Sequence, residues 1–112
     1  MSLSKKIIDG IKRCDFDILL ETSEYIELRN FTPAGEDWNE TFWHYGDNER
    51  LTHEIYERWN TFDVNEEAER WIDHRGKNGV PSSIKVLVED QEWKEKKLED
   101  LWRELSAVLI SE

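Results

Sequence analysis

Apolar positions recur along the chain first with a helical period, then with a strand period, then with a helical period again. Leu3, Ile7, Ile8, Ile11 and Cys14 fall three and four residues apart. That spacing makes one apolar stripe on a helix capped by Ser4 and ending near Arg13. Gly10 lies inside this helix and weakens it by roughly 1 kcal/mol relative to Ala. From Asp15 to Thr22 the pattern alternates, with Phe16, Ile18 and Leu20 on one face and Asp17 on the other. Tyr25 to Phe31 alternates again, Ile26 and Leu28 against Glu27 and Arg29. Two alternating runs separated only by Ser23-Glu24 predict an antiparallel hairpin.

Thr32-Pro33-Ala34-Gly35 breaks the second strand. Pro33 suits the second position of a turn, and Gly35 can supply a positive φ. A surface turn of this kind is expected to hold Glu36 and Asp37 outward. Alternation resumes from Trp38 to Tyr45, with Trp38, Glu40, Phe42 and His44 opposed to Asn39, Thr41, Trp43 and Tyr45. Both faces carry aromatic rings, so one is expected on the core and the other partly exposed.

The second half of the chain is helical in pattern. Gly46-Asp47-Asn48 ends the sheet and caps a helix carrying Leu51, Ile55, Trp59 and Phe62. Asp63 with Glu66 three residues on has capping-box form. The helix it starts places Val64, Ala68, Trp71, Ile72 and Arg75 on one side, and Gly76-Lys77-Asn78-Gly79 stops it. Pro81-Ser82 opens a last segment, helical to about Ile110, with Ile84, Leu87, Leu98, Leu101, Leu105 and Val108 in one apolar register. Gln91 and Lys94 occupy the same stripe and interrupt it. The segment is therefore one long helix with a polar waist, or two helices bending near Glu89-Asp90. Strands followed by helices predict a single α+β domain over residues 1–112. Its parts are an N-terminal helix, a three-stranded antiparallel meander and a helical C-terminal half packed on one sheet face. Ile18, Leu20, Ile26 and Leu28 are expected to be buried against Leu51, Ile55, Trp59 and Ile72.

Charge narrows the function. The formal net charge is −11, and Lys5, Lys6, Lys12 and Arg13 concentrate positive charge in the first helix, so the remainder is more acidic still. Such a surface is repelled by phosphate backbones and anionic membranes and attracted to basic proteins. Direct nucleic-acid binding is disfavoured, although acidity also simply keeps a protein soluble. No apolar run approaches the ~20 residues of a membrane span, and the N-terminal residues lack the apolar core of a secretory signal. A cytoplasmic location is expected. Cys14 is the sole cysteine, which rules out an internal disulfide and leaves it packed on the helix stripe.

Catalytic and metal chemistry finds little support. His53-Glu54 begins like a zinc-protease helix, but position 57 is Glu. His44, His53 and His74 are widely spaced. Asp47-Asn48-Glu49 offers oxygens without calcium-loop spacing, and capping is the simpler use of Asp47 or Asn48. The paired carboxylates Glu36-Asp37, Glu66-Glu67 and Glu89-Asp90 are what a charge-rich surface produces. No phosphate-cradling glycine loop or nucleophile elbow is present. No cofactor, metal or catalytic residue is expected.

The order of landmarks resembles a group of small, acidic, uncharacterised proteins from phages and conjugative elements of Gram-positive bacteria. The residues that carry it are Glu27-Leu28 leading into Thr32-Pro33-Ala34-Gly35-Glu36-Asp37-Trp38, then Phe62-Asp63-Val64-Asn65-Glu66-Glu67 and Trp71-Ile72. Gly79-Val80-Pro81-Ser82 and Leu87-Val88-Glu89-Asp90 follow. The chain departs from the pattern at Val64, where proline is expected, and at Gln91 and Lys94, where apolar residues are expected. The resemblance implies a bacterial mobile-element setting and no known activity.

Trp38, Trp43 and Tyr45, flanked by Glu36, Asp37, Glu40, Asp47 and Glu49, combine aromatic anchors with negative charge. Trp and Tyr are favoured anchors, and an acidic rim steers basic partners. The same rings could equally fill the core. The expected function is a non-enzymatic acidic binding protein for a basic protein partner, in its extreme form a nucleic-acid mimic. The expected contact set is Glu36, Asp37, Trp38, Glu40, Trp43, Asp47 and Glu49. The alternatives are an accessory protein forming a homodimer through the C-terminal helix, and an enzyme using scattered carboxylates and His44.

Overall fold

The computed structural model describes residues 2–77 and 80–111. In chain order it has helix α1 (Lys5–Arg13), strands β1 (Asp17–Glu21), β2 (Tyr25–Phe31) and β3 (Asp37–Trp43), and helices α2 (Asn48–Asn60), α3 (Val64–Trp71) and α4 (Ile84–Ser111). The strands form one antiparallel sheet in the order β1-β2-β3. The expected α+β architecture is therefore the observed one.

Local chemistry sets the helix starts as the pattern predicts. The Ser4 hydroxyl accepts from the Ile7 N–H, Asp47 from Glu49 and Arg50, and Asp63 from Asn65 and Glu66. The Asn48 side chain also accepts from the Ser4 N–H, which ties the starts of α1 and α2 together. Gly76 has the positive φ that ends a helical segment. The rest of that stop signal, Asn78 and Gly79, lies outside the described residues.

All four helices lie to one side of the sheet. Ile26 and Leu28 of β2, and Trp38 and Phe42 of β3, meet Ile7 and Ile11 of α1, Leu51 and Ile55 of α2, and Leu98, Leu101 and Leu105 of α4. A smaller cluster of Ala68, Val80 and Leu87 joins α3 to the start of α4. Gly10 is buried, and a Cβ there would lie 2.9 Å from Leu105 Cδ2. The helix-weakening glycine thus lets α1 sit close against α4.

Helix α4 is a single helix of 28 residues. At 1.5 Å per residue it is about 42 Å long, matching the 44 Å long axis of the molecule. The bend considered near Glu89-Asp90 does not occur.

Two core expectations are corrected. Leu20 is 44% exposed, not buried. The β1–β2 register shifts between Ile18 and Leu20, so that Leu20 comes opposite Glu27. One extra residue, Leu19, sends the following side chain to the opposite face. Ile72 is also exposed, because the chain tightens into a 3₁₀ turn at Ile72–His74 just after α3. That turn rotates Ile72 off the stripe formed by Val64, Ala68 and Trp71.

A buried ion pair and an open sheet face

The turn between β2 and β3 closes with Gly35 N–H donating to the Thr32 carbonyl and Thr32 N–H donating to Glu36. Gly35 has φ +92°, as expected for its position. The expectation that Glu36 points outward is wrong: Glu36 is buried. Its carboxylate accepts from Lys94 Nζ at 3.3 Å and from Gln91 Nε2 at 3.4 Å. One residue earlier in α4, Asp90 Oδ1 accepts from the Ala34 N–H at 3.2 Å. The turn therefore docks on the polar waist of α4. Gln91 and Lys94 interrupt the apolar stripe because a carboxylate, not a hydrocarbon, faces them.

Burial pushes the Glu36 carboxyl above its ordinary range, and Lys94 opposes the rise. Asp90 adds to it. Lys94 also lies 5.4 Å from the Trp38 ring centroid, so its cation meets an aromatic face as well as a carboxylate.

Glu40 and Trp38 are likewise used internally. Trp38 is buried between Phe16 and Trp93 and donates through Nε1 to Glu40. Glu40 accepts two bonds from Arg58, whose guanidinium also reaches Glu67. Burial alone would lower the Arg58 pKa, but Glu40 and Glu67 outweigh it, and the net direction is upward. Asp37 is exposed and takes a two-pronged bond from Arg29 on β2, which holds its carboxyl below the usual range.

The sequence-derived contact set thus divides. Glu36, Trp38 and Glu40 face inward. Asp37 is outward but paired. Trp43, Asp47 and Glu49 are exposed at the far end of the sheet, with Asp47 also capping α2. His44 is fully buried and accepts through Nδ1 from the Gly46 N–H, which makes it a turn-stabilising residue. Cys14 is half-buried, and burial raises its thiol pKa away from reactivity. Among the described residues no group of three or more His, Cys, Asp or Glu side chains is placed to hold a metal ion, and no helix is long and apolar enough to cross a membrane.

Among the described residues no helix covers the outer face of the sheet. The rings of cross-strand partners Tyr25 and Trp43 meet at 5.0 Å with planes tilted by 50°, and Trp43 continues to Tyr45 at 6.0 Å. Trp43 is 44% exposed and Tyr45 58%. Leu20, turned outward by the bulge, stands opposite Glu27. Glu24 and Glu27 lie beside this aromatic row and form no ion pair among the described residues, whereas Glu21, opposite Ile26, turns toward the helical side. Arg50 is the cation against it, over the Tyr45 ring. The sequence singled out Trp43 and Tyr45. It missed Leu20 and Tyr25, because the bulge and the strand register decide their face.

The β3 edge is open as well. Thr32 N–H donates to Glu36, and His44 N–H to Glu24. Antiparallel ladders alternate, so the register directs the backbone groups of Trp38, Glu40 and Phe42 to β2. Those of Asn39 and Thr41 point away from the sheet. Beside them run two clefts of about 300 and 260 Å³ that share Glu40 and Arg58. Compared with protein-family models, curated proteins and solved structures, the chain matches none of them.

Proposed function

We propose that this is a non-enzymatic acidic binding protein that engages a basic protein partner through the open outer face of its sheet. The observation that carries this reading is the row of exposed Trp43 and Tyr45 and half-buried Tyr25 set beside Glu24 and Glu27, carboxylates that form no ion pair among the described residues. Rigid aromatic side chains supply contact area at low entropic cost, and the carboxylates steer a cationic surface toward them. Asp47 and Glu49 extend the acidic rim at the start of α2. The nucleic-acid-mimic form of the proposal now rests on these residues, since Glu36 and Glu40 spend their charge on Lys94 and Arg58. A cytoplasmic, mobile-element setting belongs to the same proposal and is supported by the sequence resemblance.

The test is a comparative pull-down from bacterial lysate at low and high salt. The baits are the native chain, a Trp43→Ala/Tyr45→Ala variant and a Glu24→Gln/Glu27→Gln variant. Basic proteins should be retained by the native chain, released by salt and lost from both variants. Retention unchanged in both variants would remove this face as the site. A salt-resistant homodimer in sedimentation would favour the accessory-protein reading through the C-terminal helix instead.

A further inference from the structure

We infer that the β3 edge receives an extended basic segment of the partner as a fourth strand. The inference rests on the proposal that the partner is a basic protein, and it adds where and in what conformation that partner is held.

An exposed edge strand is a template for another chain, and folded proteins usually blunt it. The two edges of this sheet differ in that respect. β1 is five residues long and bulged at Leu19. β3 is seven residues long and keeps an unbroken register with β2 from Asp37 to Trp43. On its free side the N–H and C=O groups of Asn39 and Thr41 point out. Among the described residues nothing else takes them up.

The space beside this edge fits a strand rather than a helix. Side chains of an added strand alternate, so every second one turns toward the helical layer. The two clefts lie in line along β3, separated by Arg58 bonded to Glu40. Each can accept one inward side chain. The cleft beside Thr41 is lined by Glu40, Glu54, Glu57 and Arg58; with Glu40 spent on Arg58 and Glu54 beside Arg50, Glu57, next to His53, is the carboxylate that a lysine or arginine there would reach. Outward side chains of the added strand would extend the face that carries Trp43. A second copy of this chain is the poorer occupant, because each copy brings a net charge of −11 to the contact.

Main-chain pairing gives affinity in such additions, and side-chain pockets give selectivity. The probe is a capped peptide of alternating arginine and threonine, as long as β3, added to the full ¹⁵N-labelled chain. Its partner in the experiment is the same peptide N-methylated at alternate residues, which cannot form the ladder. We expect amide-exchange protection at Asn39 and Thr41, and affinity about tenfold weaker for the N-methylated peptide. Thr41→Pro should weaken the unmodified peptide by a similar factor, because it removes a donor the native ladder does not use. Thr41→Ala, which keeps the backbone donor, should not. If Thr41→Pro fails to fold, the N-methylated peptide still decides the matter.

Binding that shifts Tyr25 and Trp43 without protecting Asn39 and Thr41, and that ignores N-methylation, would overturn the edge inference and leave the acidic-face proposal standing. No binding of the peptide at low salt would count against both. Protection of Asn39 and Thr41 without peptide, together with a dimer in sedimentation, would overturn the inference in favour of self-pairing.

Discussion

Lys94 Nζ lies 3.3 Å from the Glu36 carboxylate, with side-chain exposures of 4% and 8%. The pair joins the β2–β3 turn to the middle of α4 across a separation of 58 residues. A buried pair is costly to form and costlier to break, because removing one partner strands the other charge. Lys94→Met alone should therefore cost about 3–5 kcal/mol in urea unfolding. Combining it with Glu36→Gln should recover much of that loss. Losses that simply add in the double variant would show that the two charges do not depend on each other.

The same carboxyl makes stability depend on pH. Burial and Asp90 raise the Glu36 pKa despite Lys94. A carboxyl with a higher pKa in the folded than in the unfolded chain binds more proton when folded. Its contribution therefore falls as pH rises from the ordinary glutamate value, ~4.3, to the raised one. Asp37, held low by Arg29, acts in the opposite sense at more acidic pH. The Glu36 carboxyl carbon, followed by NMR, should titrate above the ordinary range in the folded protein. The stability difference between native chain and Glu36→Gln should change across that window. A Glu36 midpoint at or below the ordinary value would refute the assignment.

Most of the fold was legible because local signals agreed with one another. Ser4, Asp47 and Asp63 announced their helices, Gly35 its turn, and the alternation of β2 and β3 their faces. The failures share a cause. Leu20 was misplaced because a bulge leaves no mark in an apolar run such as Ile18-Leu19-Leu20. Glu36 was misplaced because an acid after a glycine turn looks solvated, and only the packed chain brings it to Gln91 and Lys94. The interruption of the α4 stripe was the one available signal. Two polar residues on an otherwise apolar seam imply a buried polar partner elsewhere in the chain. Of the candidate contact residues, those on the outward strand face and the cap were readable. Those on the inward face are not, because charge alone does not say which way a strand side chain points.

Core packing offers an independent check. Leu28 is fully buried in the middle of β2, so Leu28→Ala should cost roughly 2–5 kcal/mol by lost transfer energy and the cavity left behind. Trp59 is only half-buried, but it stacks on Trp102 at 5.2 Å with planes 12° apart, joining α2 to α4. A double-mutant cycle on Trp59→Ala and Trp102→Ala should return a coupling of about 0.5–1.5 kcal/mol. Strictly additive losses would mean that the rings contribute only by the area each buries.

Gly35 tests the turn. At φ +92° a Cβ meets no neighbouring atom within 4 Å, so any cost of Gly35→Ala comes from backbone conformation alone. Alanine at such a φ should destabilise the protein by about 1 kcal/mol or more. The loss should appear as a lower denaturant midpoint with an unchanged slope, since the surface exposed on unfolding stays the same. A midpoint equal to the native one would show that the turn relaxes to another conformation.

The last prediction concerns nucleic acid itself. A chain with net charge −11 presents carboxylates on the same face that carries its exposed aromatic rings. Aromatic rings alone can stack bases, so the charge must decide the outcome. At physiological salt repulsion extends over a Debye length of about 8 Å, which covers contact distance for every phosphate approaching Glu24 or Glu27. Gel shifts with duplex DNA and single-stranded RNA should therefore show no complex at micromolar protein. Raising the salt should not create one, because screening removes repulsion without supplying the counterion release that drives phosphate binding. A micromolar complex with either nucleic acid would overturn the basic-partner proposal, since the same carboxylates cannot repel and recruit phosphate.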